Sequence, residues 1–216
     1  MVDLTPLWLS LKTASAATAI TFVLGVLTAR WRIRYKHRGL DILDGILLFP
    51  LALPPTVIGL CLLIIFGRQS PIGETLASIG ISIIFSWPAT LIAATVVIFP
   101  LMYQTIRAAF LQIEPNLLDV ARIFGLSEWR IIWMVMIPLS WTSMVAAIIL
   151  SFMRALGEFG ATLMIAGNIP GQTQTMPIAI FSAVESGETG QAIILSLIIM
   201  SISVCVVFFM SLLSRE

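Results

Sequence analysis

Charge, histidine and cysteine are all scarce in this chain, and each scarcity closes off a class of function. Only 11% of its 216 residues are charged, while 59% are hydrophobic, and the mean hydropathy is +1.04. Soluble domains carry about 25% charged residues, so this chain has too little polar surface to face water and is expected to be solvated by lipid. A net charge of +1 leaves no basic face for a nucleic acid. The single histidine, His37, lies in a basic stretch and excludes a histidine-based metal or catalytic cluster by count. Both cysteines, Cys61 and Cys205, fall inside apolar runs and read as packing residues rather than a disulfide or metal pair. No Gly-x4-Gly-Lys-Ser/Thr phosphate loop occurs, so no ATP hydrolysis is expected on this chain. The start, MVDLTPLWLSLK, carries Asp3 where a leader would carry basic residues, and no cleavage site follows. The first apolar run is therefore expected to remain as a span rather than act as a cleaved leader.

What the chain has in abundance is long apolar runs. Five stand out, at about 7–29, 45–66, 83–102, 137–156 and 192–213. Each approaches the roughly 20 residues that cross a bilayer core, and together they predict one all-α membrane domain over 1–216. A weaker stretch, 161–183, is interrupted by Gly167, Asn168, Pro170 and Gly171 and is expected to be re-entrant or partly inserted. Pro50, Pro54 and Pro55 in FPLALPP predict a kink in the second run, a packing feature or a hinge. Trp8, Trp31, Tyr35 and Trp87 lie near run ends, where interfacial anchors belong.

The basic residues set the expected orientation. Arg30, Arg32, Arg34, Lys36 and Arg38 follow run one, Arg107, Arg122 and Arg130 lie between runs three and four, and Arg215 follows run five. With five spans these segments share one side. The other side holds Arg68 with Asp3, Glu74, Glu185 and Glu188, and Lys12 and Arg154 can snorkel toward it. The positive-inside rule then predicts an outer N-terminus and a cytoplasmic C-terminus. The stretch 30–38 reads as a topology signal, and Glu185 and Glu188 as a solvated outer turn.

One cytoplasmic stretch, about 107–137, is too regular to be an idle loop. It contains EPNLLDVARIFGLSEWRIIWMVMIP. Pro115 suits a helix's first turn, Gly125 the left-handed position that ends one, and Ser127 the cap of the next. Leu117, Ala121 and Phe124 recur at i, i+4 and i+7 as a narrow apolar stripe, with Asn116, Asp119 and Arg122 elsewhere on the wheel. Such a helix either lies on the bilayer surface or fits a groove in a soluble partner.

Asp119-Val120-Ala121, Gly125 and Val135-Met136-Ile137-Pro138 resemble the EAA loop of binding-protein-dependent ABC importer permeases. That pattern is Glu-Ala-Ala, three residues, Gly, nine residues, Ile-x-Leu-Pro. Ala121, Gly125 and Pro138 match it, while Asp119, Val120, Val135 and Ile137 are substitutions. FPLALPPTVIGL and RALGEFGATLMIAGNIPGQTQTMPIAIF are similar to the molybdate-type permeases. Sulfate permeases share the GEFGA portion, and NIPGQTQTMP is closer to the molybdate branch. The resemblance runs from about residue 7 to the end. It implies a type I importer permease in a prokaryotic inner membrane, a second copy of this chain, two cytoplasmic ATPase subunits that use ATP, and an external oxyanion-binding protein. It also implies that Leu117, Asp119, Ala121, Arg122, Phe124, Gly125 and Pro138 belong to the ATPase-coupling segment.

Arg154 and Glu158 lie at the outer end of run four, four residues apart on one helical face. Charge near hydrocarbon is costly, so the two either pair to hold an outer gate or Arg154 meets the passing anion. Two other classes predict features missing from this sequence. An ion-coupled transporter often shows inverted repeats and midspan polar sites, and an intramembrane enzyme needs a catalytic cluster.

Overall fold

The computed structural model describes the backbone of residues 3–35 and 39–213, and side chains up to 208. Lys36, Arg38 and Arg215, part of the basic signal, lie outside the described residues, as does His37. Every regular element described is helical: α1 (Thr5–Arg34), α2 (Gly39–Ala52), α3 (Pro55–Phe66), α4 (Pro71–Ser78), α5 (Trp87–Leu111), α6 (Pro115–Ile123), α7 (Glu128–Ile131), a π-helical turn Ile132–Met136, α8 (Ile137–Leu139), α9 (Trp141–Leu156), α10 (Gly160–Ala166), α11 (Met176–Glu185) and α12 (Thr189–Leu213). Proline sits in the first turn of α1, α3, α4, α5, α6 and α11, where its missing N–H costs nothing.

Three helices, α1, α5 and α12, are long and apolar enough to cross a membrane, and the count reaches up to five if each of two bent pairs is one span. The bends correct two expectations. Run two does not merely kink: Leu53 and Pro54 separate α2 from α3, whose axes differ by 113°. Pro54 is extended, with ψ of 137°, and Pro55 opens a new helix; Pro50 stays inside α2. Run four is not one straight span either, because the segment Glu128–Leu139 meets α9 at 84°. Pro138 cannot donate to the carbonyl four residues back and clashes with it. The π-helical turn just before it loosens that register, and Ser140, at φ −107° and ψ 14°, takes the change of direction.

Helices also outrun their apolar cores. α1 spans 30 residues, about 45 Å against a hydrocarbon thickness of about 30 Å. Arg30, Arg32 and Arg34 therefore ride on its last turns rather than in a loop. α5 likewise extends past Met102 to Leu111 and carries Arg107 within it.

Close helix contact depends on small residues, as expected where lipid removes most of the hydrophobic drive between helices. Ala14 and Ala17 of α1 pack on Ala94 and Ile98 of α5. A Cβ on Gly25 would come within 3.1 Å of Met102. Gly59 of α3 sits so near α10 that an added Cβ would lie 2.8 Å from the Ala161 carbonyl oxygen.

Stretch 161–183 becomes α10 and α11, 7 and 10 residues long and each too short to cross alone. In the loop between them, the Ile169 N–H donates to Thr173 Oγ1 (3.0 Å), and that hydroxyl donates to the Gly167 carbonyl (3.2 Å). The Met176 N–H donates to Ser10 Oγ (2.7 Å), tying α11 to α1.

Candidate functional site

The segment between α5 and α9 forms an amphipathic helix with its apolar side turned outward. Leu118 and Ala121 of α6 are buried against the body, in a cluster with Phe110, Ile131 and Met136. Leu117, Val120, Ile123 and Phe124 are exposed, the last two at 83% and 81%. The stripe Leu117–Ala121–Phe124 read from spacing therefore straddles two surfaces: Ala121 faces inward, and the free apolar face runs through Val120 and Ile123 instead. Asp119 and Arg122 pair within the helix at 2.5 Å, both exposed.

α6 ends as its residues dictate. Gly125 has a φ of +77°, its N–H donates to the Arg122 carbonyl (2.9 Å), and the Leu126 N–H reaches back to the Ala121 carbonyl (3.1 Å). That is a left-handed helix stop. Ser127 Oγ then accepts the Arg130 N–H at the start of α7. Pro138 lies beyond, in α8, at the redirection toward α9.

One ion-pair cluster binds this segment to α1 and a second joins α1, α2 and α5 beside it, and neither follows from spacing. Glu128 takes Arg122 Nε on Oε1 (3.0 Å) and Arg30 on Oε2, with Arg34 at 3.7 Å. Burial opposes the charge on Glu128, but hydrogen bonds from Arg122 and Arg30 outweigh it and hold the carboxyl below its ordinary value. In the second cluster Asp44 of α2 accepts from Arg32 of α1 (2.8 Å) and from the Tyr103 hydroxyl, and Arg107 of α5 lies at 3.2 Å. Arg32 also bonds Asp41. The stretch 30–38 is thus more than a topology signal, since Arg30 and Arg32 are buried and paired. The available clue was an acid, Asp44, standing at the edge of an apolar run near many arginines. Charge at that depth rarely goes unpaired.

At the other end of the molecule, Arg154 Nη1 donates to Glu158 Oε2 (2.7 Å). The pair does not lie on one continuous helix, because α9 stops at Leu156 and Glu158 sits in the link before α10. Its other oxygen accepts the Ala161 N–H (2.9 Å). Burial is lopsided: the Glu158 side chain is 2% exposed and that of Arg154 39%. Nearby, Lys12 packs its ammonium 3.9 Å above the ring of Trp87. Glu185 is exposed near the end of α11, and Glu188 in the turn before α12.

Apolar helical spans, two of them broken, with an exposed amphipathic helix between α5 and α9, are the architecture of a membrane permease. Residues 21–216 match the family of binding-protein-dependent transport system inner membrane components, and the chain belongs to it. It is a multi-pass inner membrane protein. The chain is 43% identical to the putative molybdenum transport system permease protein YvgM of Bacillus subtilis, over 95% of this chain and 91% of that one. It is 38% identical to the molybdenum transport system permease protein ModB of Escherichia coli, over 96% and 93%. Identity is 35% to the probable sulfate transport system permease protein cysT of Chlorokybus atmophyticus, over 92% and 70%. Among solved structures, a bacterial ABC transporter that imports the acidic polysaccharide alginate superposes with a TM-score of 0.81 at 13% identity, covering 98% of this chain and 78% of that one. At that identity the likeness is one of fold.

Proposed function

We propose that this chain is the permease subunit of an ATP-driven importer for a tetrahedral oxyanion, molybdate in the first instance. The observation that carries the mechanism is the free apolar face of α6, on a short helix in the segment that joins α5 to α9. Leu117, Val120, Ile123 and Phe124 fit a groove in a soluble ATPase, by the helix-in-groove mode. A helix of nine residues is marginal alone in water, and docking would complete its order. Hydrolysis belongs to two such ATPase subunits, bound to a pair of these chains with α6 and the basic ends facing the cytoplasm. An external protein delivers the anion from the opposite side. Molybdate is supported by the names carried by the relatives that match nearly the whole chain, and sulfate by the cysT relative at 35%.

Two measurements test this reading. The ligand held by the binding protein that stimulates the assembled transporter should be molybdate, and sulfate in its place would move the chain to the other branch. Phe124→Ser combined with Ile123→Ser should abolish co-purification of the ATPase while membrane yield stays normal. Undiminished co-purification would remove α6 from the docking surface.

A further inference from the structure

The coupling segment is joined covalently to α5 and α9, yet α1 lies along both of those helices with no chain link to α6. Apolar contact supplies cohesion there: Val26 and Ala29 of α1 share a cluster with Ile131 and Ile132. Such packing is non-directional and lets surfaces slide. A single carboxylate joins α1 directly to the coupling segment, apart from the separate link that Asp44 makes between α1 and α5. Glu128 splits its two oxygens between elements, Oε1 to Arg122 on α6 and Oε2 to Arg30 on α1, with the more exposed Arg34 of α1 at 3.7 Å from the same oxygen. The Arg30 side chain is 7% exposed, and Glu128 is the only acidic partner it has among the described residues. Its Nε is buried with no hydrogen-bond partner, so the buried charge is balanced from that one side.

We propose that Glu128 is the positioning residue that carries movement of α6 to α1, so that docking of the ATPase shifts the first span together with α5 and α9. The inference rests on the reading of α6 as the ATPase-docking helix. When α6 tilts, Arg122 draws on Oε1, and the rigid carboxylate hands that pull to Arg30 through Oε2. Charge-assisted hydrogen bonds are short and directional, which gives this link a preferred geometry that the surrounding apolar contacts lack. Without it, α5 and α9 still move with α6, and ATP is still turned over. α1, then drawn only through α5 by its packing and by the Arg32–Asp44–Arg107 cluster, lags, and the conduit opens incompletely.

The test uses the complete transporter, permease with ATPase and loaded binding protein, in proteoliposomes. Uptake and ATP hydrolysis are measured together. Glu128→Gln and Arg30→Gln should each lower the uptake per ATP about tenfold, the scale of a coupling free energy. The double variant should fall no further than either single one, because all three break the same link. Arg30→Lys, which keeps the charge, should stay within about twofold of the parent in the same assay. An unchanged ratio in both single variants, or losses that simply add, overturns the proposal. If Glu128→Gln fails to reach the membrane, the Arg30 pair decides alone: Gln must uncouple and Lys must not. Co-purification of the ATPase is recorded for every variant. Failure of the parent to bind it would sink the docking reading instead, which keeps the two failures apart.

Discussion

At the scale of the residue, burial decides what an ion pair contributes. Equal spacing makes Arg154 and Glu158 look equivalent in sequence, and either loss would then cost the same. The structure makes them unequal, because the Glu158 side chain is enclosed and that of Arg154 is partly exposed. Removing Arg154 strands a buried carboxylate, so Arg154→Gln should lower stability by about 3 kcal/mol. Glu158→Gln should cost only about 1 kcal/mol, since a glutamine oxygen still accepts the Ala161 N–H and the freed guanidinium can hydrate. Replacing both by Gln should recover most of the Arg154→Gln loss. Thermal unfolding of the purified transporter checks that order. Uptake by the double variant then separates roles: recovered transport marks a structural pair, and lost transport despite recovered stability assigns Arg154 to the anion path.

At the scale of the element, the ends of α6 matter as much as its face. Gly125 holds a φ of +77° with open space where a Cβ would go. A substitution there meets no neighbour, and its whole effect is conformational. A non-glycine residue in that region costs about 1–2 kcal/mol, with Asn tolerated best and β-branched residues least. Gly125→Val should therefore misdirect α7 and reduce co-purification of the ATPase, while Gly125→Asn should leave it near the parent level. Equal retention by both variants would show that the exit angle of α6 is not what aims it.

At the scale of the whole molecule, a count of five crossings, with each bent pair as one span, puts the arginine-rich ends on one side. The structure adds a physical reason for keeping them there. Arg30, Arg32 and Arg107 are committed to Glu128, Asp41 and Asp44, so that end is a pinned assembly of α1, α2, α5 and α7. A cysteine at Gly187 should be labelled by an impermeant reagent from outside intact cells, and one at Asn116 only after permeabilisation. The reverse pattern would invert the protein and detach α6 from any cytoplasmic ATPase.

Much of this was legible in the chain alone, because hydrophobicity, proline placement and glycine conformation act over a few neighbouring residues. The apolar runs, the start of α6 at Pro115, its stop at Gly125 and the nearness of Arg154 to Glu158 are all local. The bends at Pro54 and Ser140 were only half visible: proline weakens a helix locally, but the angle it takes depends on what packs on either side. Which side of α6 is free was beyond reach, since Leu117, Ala121 and Phe124 occupy one arc of the wheel and only the body of the protein covers part of it. The link from Arg30 to Glu128 joins residues 98 positions apart. Nothing in the spacing of two charges that distant favours their pairing, and only the folded arrangement, in which each buried charge must find its opposite, brings them together.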